Sequence, residues 1–222
     1  MPSPLQAKSF LSRLLMRCFT IRRRRKMMAK HEINAVPVYE TALQQENLQA
    51  LSGDVQVDEL RHYGFIVLRV RPETAGVVEA MQQLGIELPK ALQWTGSLDT
   101  CLVKWISPDE FLVTLPLAEK DAFMQQAKTA LQGIFSAVVD NSGAYALLKF
   151  SGRQYQDLLA KLCLYDLRHE LPVGKVVSSL LGKTGAIFYR LDDTSLLCMV
   201  RWSFAAYAWR ALVTASQRLE ST

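Results

Sequence analysis

Residues Ala144-Tyr-Ala-Leu-Leu-Lys-Phe150, Val176-Val-Ser-Ser-Leu-Leu181, Ala186-Ile-Phe-Tyr-Arg-Leu191 and Leu196-Leu-Cys-Met-Val200 decide the reading of the fold. Each is a short run rich in β-branched and aromatic residues, the composition of a strand. After the first, Ser151 is placed to N-cap a helix that turns Tyr155, Leu158, Leu159 and Leu162 inward. Gly182-Lys-Thr-Gly185 reads as a hairpin turn with room for positive φ, and Asp192-Asp193-Thr194 as another turn. Ser203 is placed to cap a last helix with Phe204, Ala208, Ala211 and Leu212 inward.

The same order occurs upstream. Phe65–Val70 reads as a strand and Pro72 as the start of a helix with Val77, Val78, Met81 and Leu84 on one face, stopped by Gly85. Cys101–Ile106 and Phe111–Leu115 flank Ser107-Pro-Asp-Glu110, a β-hairpin with proline in the second turn position. Residues 119–131 read as a helix with Phe123, Ala127, Ala130 and Leu131 inward, ended by Gly133, and Phe135–Val139 as a strand. The order β-α-β-β-α-β is the split βαβ of ferredoxin-like layers. The expected fold is therefore α+β, two ferredoxin-like βαββα units sharing a core, over 63–139 and 140–222. Residues 31–62 are read as an extended arm, with a weak helix over Thr41–Leu51.

The charge is unevenly spread. The chain is +5 overall, but residues 1–30 hold nine of its 26 Lys and Arg and none of its 21 Asp and Glu, which leaves about −4 for the rest. The basic head, 1–30, reads as a disordered tail or the product of a gene start placed upstream of Met27 or Met28. The acidic body continues no basic surface, so no nucleic-acid partner is expected. Nor is a membrane partner, because no apolar run approaches the ~18–20 residues of a span. The four cysteines (Cys18, Cys101, Cys163, Cys198) form no C-x-x-C pair. They read as reduced thiols in a cytoplasmic protein.

The chemical signals are weak. Gly182-Lys183-Thr184 resembles the tail of a phosphate loop, but Val177 stands where that loop needs glycine. His31, His62 and His169 lie far apart, with no cysteine or carboxylate at metal spacing. Adjacent Asp192 and Asp193 suit a turn better than shared acid–base work. Trp105 and Phe111 read as core. No catalytic, cofactor-binding or metal-binding residue is expected. The clearest functional signal is Trp202, Tyr207 and Trp209, which cannot all share one helix face and therefore suggest a partner interface.

Several pieces of 140–212 together carry a family resemblance: Asp140-x-Ser142, Ser151-Gly152, Leu158-Leu-Ala-Lys161-x-Cys163, Asp166-Leu167, Pro172-x-Gly174, Leu180-Leu-Gly-Lys183, Arg190-Leu-Asp192 and Ser203-Phe-Ala-x-Tyr207-x-Trp209. With the Trp105 hairpin, they resemble the gamma subunit of heterotetrameric sarcosine oxidase over about residues 60–215. That subunit is similar to a reduced member of the folate-binding aminomethyltransferase superfamily. The resemblance implies a complex whose alpha, beta and delta subunits hold the chemistry: covalent FMN on beta, FAD shared with alpha, NAD on alpha and zinc on delta. It implies oxidative demethylation of sarcosine to glycine and hydrogen peroxide, with the methyl carbon passed to tetrahydrofolate. Where aminomethyltransferases place acidic residues after Gly-x-Ile, this chain has Gly185-Ala-Ile187 followed by Phe188-Tyr189-Arg190. A stand-alone folate-binding one-carbon protein is the alternative reading.

Overall fold

The computed structural model describes residues 41–219. The basic head read over 1–30, with Cys18 and His31, lies outside the described residues. Among the described residues there are four α-helices and ten strands: β1 (Gln56–Glu59), β2 (Tyr63–Arg69), α1 (Val77–Gln83), β3 (Trp94–Gly96), β4 (Leu102–Ser107), β5 (Glu110–Pro116), α2 (Lys120–Ala130) and β6 (Ala137–Asp140), then β7 (Tyr145–Ser151), α3 (Tyr155–Ala160), β8 (Val176–Leu181), β9 (Thr184–Tyr189), β10 (Leu196–Arg201) and α4 (Trp202–Ser216).

The strands form two antiparallel five-stranded sheets, ordered β3-β4-β5-β2-β6 and β1-β7-β10-β9-β8. The α+β expectation holds. Alternation along each strand divides the apolar residues between two faces. In the first sheet Ile66, Leu68, Val103 and Val113 pack with Met81, Phe123, Ala127 and Leu131 of the helical layer. In the second, Leu148, Cys198 and Val200 pack with Leu158, Leu159, Ala208, Trp209 and Leu212. The opposite faces meet each other: Phe65, Leu102 and Leu112 from the first sheet against Leu147, Tyr189, Leu197 and Met199 from the second. The layers therefore run helix, sheet, sheet, helix. At one side the sheets are laced together by a Gln93–Lys175 bridge and by Trp94, whose backbone N–H donates to Gly174 O (3.1 Å) and whose indole donates to Arg190 O (3.2 Å).

The structure corrects several local expectations. β3 has only three residues, too short for a period-2 signal, and adds a third strand beside the Trp105 hairpin. α1 starts at Val77 after Gly76 (φ 86°), not at Pro72, and Val78 points to solvent. Ser151 is the last residue of β7, not a cap, and α3 starts after Gln154. The Thr41–Leu51 segment is a chain of turns rather than a helix. It is nonetheless anchored, because Leu43 is fully buried in the second sheet's helical core.

The arm also contributes structure. β1 pairs with β7, so the strand before the first unit completes the second sheet. β6, the last strand of the first unit, pairs with β2 and completes the first sheet. A cut at residue 139 would therefore leave the second unit without β1.

One charged group sits inside the seam. Lys104 is fully buried, donates from Nζ to Thr114 Oγ1 and lies 4.8 Å from the centre of the Tyr189 ring. The Tyr189 hydroxyl is buried without a hydrogen-bond partner. Among the described residues no carboxylate pairs with Lys104, and desolvation lowers its pKa from 10.5 to about 7.

Two outcomes follow from this packing. Leu43→Ala should cost about 2–4 kcal/mol in denaturant unfolding, as for a core leucine; a loss well under 1 kcal/mol would mean the arm only drapes over the body. Lys104 is protonated more readily unfolded than folded, so its penalty is fully present below pH 7 and fades as pH rises toward 10.5. Lys104→Met should raise Tm at pH 7, and its advantage over wild type should shrink by about 1.4 kcal/mol per pH unit between pH 7 and 10. A constant advantage across that window would show that the buried amine does not titrate there.

Candidate functional site

α4 leaves β10 with no intervening loop, so its register is set by the strand. Its buried stripe is Ala205, Ala208, Trp209, Leu212 and Ser216. The helix begins at Trp202 with Arg201 at the N-cap position and no side-chain cap, and Ser203 is its second residue rather than its cap. The stripe is correspondingly shifted from the one read in the sequence, and the three aromatic residues separate. Trp209 is 1% exposed and packs in the helical core, so it is not available to a partner. Trp202 (45%) and Tyr207 (40%) are exposed, and so is Phe204 (51%), which the sequence reading had turned inward. At 3.6 residues per turn, Trp202 and Phe204 flank the buried stripe on opposite sides, about 200° apart across the exposed side, with Tyr207 about 60° from Phe204.

Tyr207 is held by the β8–β9 turn. Its hydroxyl accepts the Lys183 backbone N–H at 3.0 Å. Gly182 in that turn has φ 63°, and a Cβ there would stand 2.9 Å from the Tyr207 hydroxyl. Glycine is thus required twice, by conformation and by close approach. The Gly182-Lys183 pair is a two-residue hairpin turn, with Leu181 opposite Thr184, and not a phosphate loop.

Two clefts flank this face. One, of about 850 Å³, is lined by Lys161, Leu162, Tyr207, Ala211 and Thr214; the other lies between Trp202, Ala206 and the arm at Thr41–Glu46. Arg210 forms a wall of both and pairs with Glu46 at 2.8 Å, which fixes the arm against the helix. This arrangement offers exposed aromatic residues along the solvent side of the helix with an ionic clasp beside them, the makings of a protein contact.

The other candidates are placed elsewhere. Asp192 closes a turn: burial raises its pKa, but hydrogen bonds from Thr194 and Ser195 at 2.7–2.9 Å outweigh this and hold the carboxyl below its usual range. His169 Nδ1 lies 2.8 Å from Asp166 Oδ2 on the exposed surface, where that contact holds Asp166 below its usual range. Burial pushes the Cys101 thiol up to about 11 and raises Cys198 as well, the reverse of a reactive thiolate. Phe111 is core and Trp105 is packed against the same cluster. Among the described residues no three His, Cys, Asp or Glu side chains are grouped to hold a metal. No helix among them is long and apolar enough to cross a membrane.

Phe188-Tyr189-Arg190 is committed to packing. Phe188 enters the helical core, Tyr189 enters the seam, and Arg190 donates to Leu167 O at 3.1 Å.

Comparison with known proteins agrees with this architecture. The chain is 26% identical over 172 residues to the sarcosine oxidase gamma subunits of an Arthrobacter species and of Corynebacterium sp. strain P-1, covering 77% of this chain and 84% of each relative. A chain of the heterotetrameric sarcosine oxidase from Corynebacterium sp. U-96 superposes with a TM-score of 0.76 at 22% identity, over 84% of this chain and 98% of that one. The glycine cleavage system aminomethyltransferase T from Bartonella henselae superposes at 0.55 and 12% identity, over 78% of this chain and 48% of that one, and shows the shared fold. The model of the sarcosine oxidase, gamma subunit family matches residues 71–218, most of the chain, and the chain belongs to that family.

Proposed function

We propose that this chain is the non-catalytic gamma-type subunit of a heterotetrameric sarcosine oxidase, a rigid scaffold gripped by companion chains that carry the chemistry. The observation that carries this is the set of exposed aromatic side chains on α4, Trp202, Phe204 and Tyr207, spread over its solvent side. Exposed Trp and Tyr are the residue types that dominate the energy of protein interfaces. The positions that would supply acid–base groups in an aminomethyltransferase are instead packed by Phe188, Tyr189 and Arg190. Methylene transfer needs a proton-transfer group at the reacting nitrogen, and these side chains supply none.

On this reading the complex converts sarcosine to glycine in the cytoplasm, and its FAD, FMN, NAD and tetrahydrofolate are held by alpha- and beta-type subunits, with a delta-type subunit completing the set. Trp209 leaves the proposed interface and Phe204 takes its place.

The double variant Trp202→Ser/Phe204→Ser, co-expressed with the companion subunits, should weaken assembly by about 2 kcal/mol, roughly 30-fold. The isolated variant should keep its stability within about 0.5 kcal/mol, because neither side chain is core. Assembly at wild-type affinity would remove this face from the interface. Micromolar binding of tetrahydrofolate by the isolated chain, measured calorimetrically, would instead favour a stand-alone folate protein.

A further inference from the structure

Among the described residues the two sheets end in four edges, and three are guarded. β1 carries Asp58 and Glu59, with Arg61 paired to Glu59 just beyond. β3 is three residues long. β8 is tied down at one end by the Gln93–Lys175 bridge and the Val176 N–H donated to Leu92 O, and just past its other end by the Gly182 N–H donated to Leu162 O. Charge, brevity and tethering are the usual protections of a sheet edge.

The fourth edge, β6, is the least guarded: its one charge is the terminal Asp140, which is paired with Lys120. The run Ile134-Phe-Ser-Ala-Val-Val139 contains no charge and no proline, and its last three residues belong to β6. Phe135 is 92% exposed. Asn141 donates its backbone N–H to Phe65 O, and β6 pairs antiparallel with β2 with Val139 opposite Val67. In such a ladder alternate residues turn their N–H and C=O to the partner. Ala137 and Val139 therefore bond to β2, and Val138 and Asp140 direct theirs outward. Left bare, this is a template for adding a strand.

The charge beside it narrows the occupant. A cleft of about 260 Å³ at the start of β6 is lined by Arg69, Arg71, Asp109, Phe135 and Ser136. Arg69 is already paired with Asp109 (3.1 Å) and Glu110 (3.6 Å). Arg71 has no carboxylate partner among the described residues. A second copy of the chain would not supply one. Antiparallel self-pairing about Val138 would bring Asp140 toward Ser136, but Lys120 and Ser142 already occupy that carboxylate.

We infer that the outer edge of β6, with Phe135 and Arg71, receives an extended segment of a companion subunit as a sixth strand, with an apolar side chain over Phe135 and a carboxylate on Arg71. This rests on the subunit reading above and names a second surface, distinct from α4. Main-chain bonds supply the pairing and the two side chains fix its register.

Amide hydrogen exchange on the intact complex and on the isolated chain tests it. Val138 and Asp140 should exchange at least tenfold more slowly in the complex, and equal rates would overturn the inference. Val138→Pro removes the outward donor while leaving the β2 ladder, and Arg71→Glu changes an exposed side chain that cannot unfold the protein. Each should weaken assembly at least tenfold. If wild type assembles and both variants assemble equally well, the edge is not the site and the subunit reading stands. If wild type does not assemble with the companion subunits, both readings fall. If the isolated chain is a dimer that Val138→Pro dissociates, the occupant is a second copy and the inference is wrong.

Discussion

Face-to-face packing of the two sheets, with Phe65, Leu102 and Leu112 against Leu147, Tyr189, Leu197 and Met199, fixes where everything else in the molecule can be. Each strand spends one side chain on the seam and the next on its own helices, so a one-residue slip in any strand would exchange the two sets. The helices are consequently confined to the outside, one pair per sheet. β1 then ties the halves together, because the second sheet depends on a strand that lies before the first unit. A buried lysine in such a seam costs stability, and the protein carries it with a single hydroxyl and a ring face as partners.

The fold is shared with aminomethyltransferase T. On β9 side-chain volume is used for packing: Phe188 and Tyr189 point to opposite faces, and both are fully buried. What remains on the surface is aromatic area on α4 and, on β6, an edge whose one charge, Asp140, is taken up by Lys120. Both are features that a solitary soluble chain gains nothing by keeping and that an assembly covers. The family to which the chain belongs is named for a subunit, which agrees with surfaces built for contact.

Much of this was legible in the sequence, because long strands carry a strong period. β2, β5, β8 and β10 fall within two residues of where composition places them. The failures are local and share a cause: where the chain passes from one element to the next, cap residues were given more weight than the strand's own reach. Ser151 and Ser203 are good capping types, yet one ends a strand and the other lies inside a helix that starts directly from β10. That shift at the start of α4 exchanged Phe204 for Trp209 in the candidate surface. β1 and β3 were missed because four and three residues carry too little alternation, and what identifies them is the partner strand, which sequence does not show. Lys104 looked like an ordinary strand residue; only the stacking of the second sheet makes it exceptional.

The central claim is that this chain works by being held, not by reacting. Native mass measurement of the oxidase purified through a tag on this chain tests it most directly. The account predicts one copy of this chain with one each of the companion subunits, the flavins remaining with the companions when the complex is dissociated. A solitary chain that retains a flavin or turns over sarcosine by itself would contradict it.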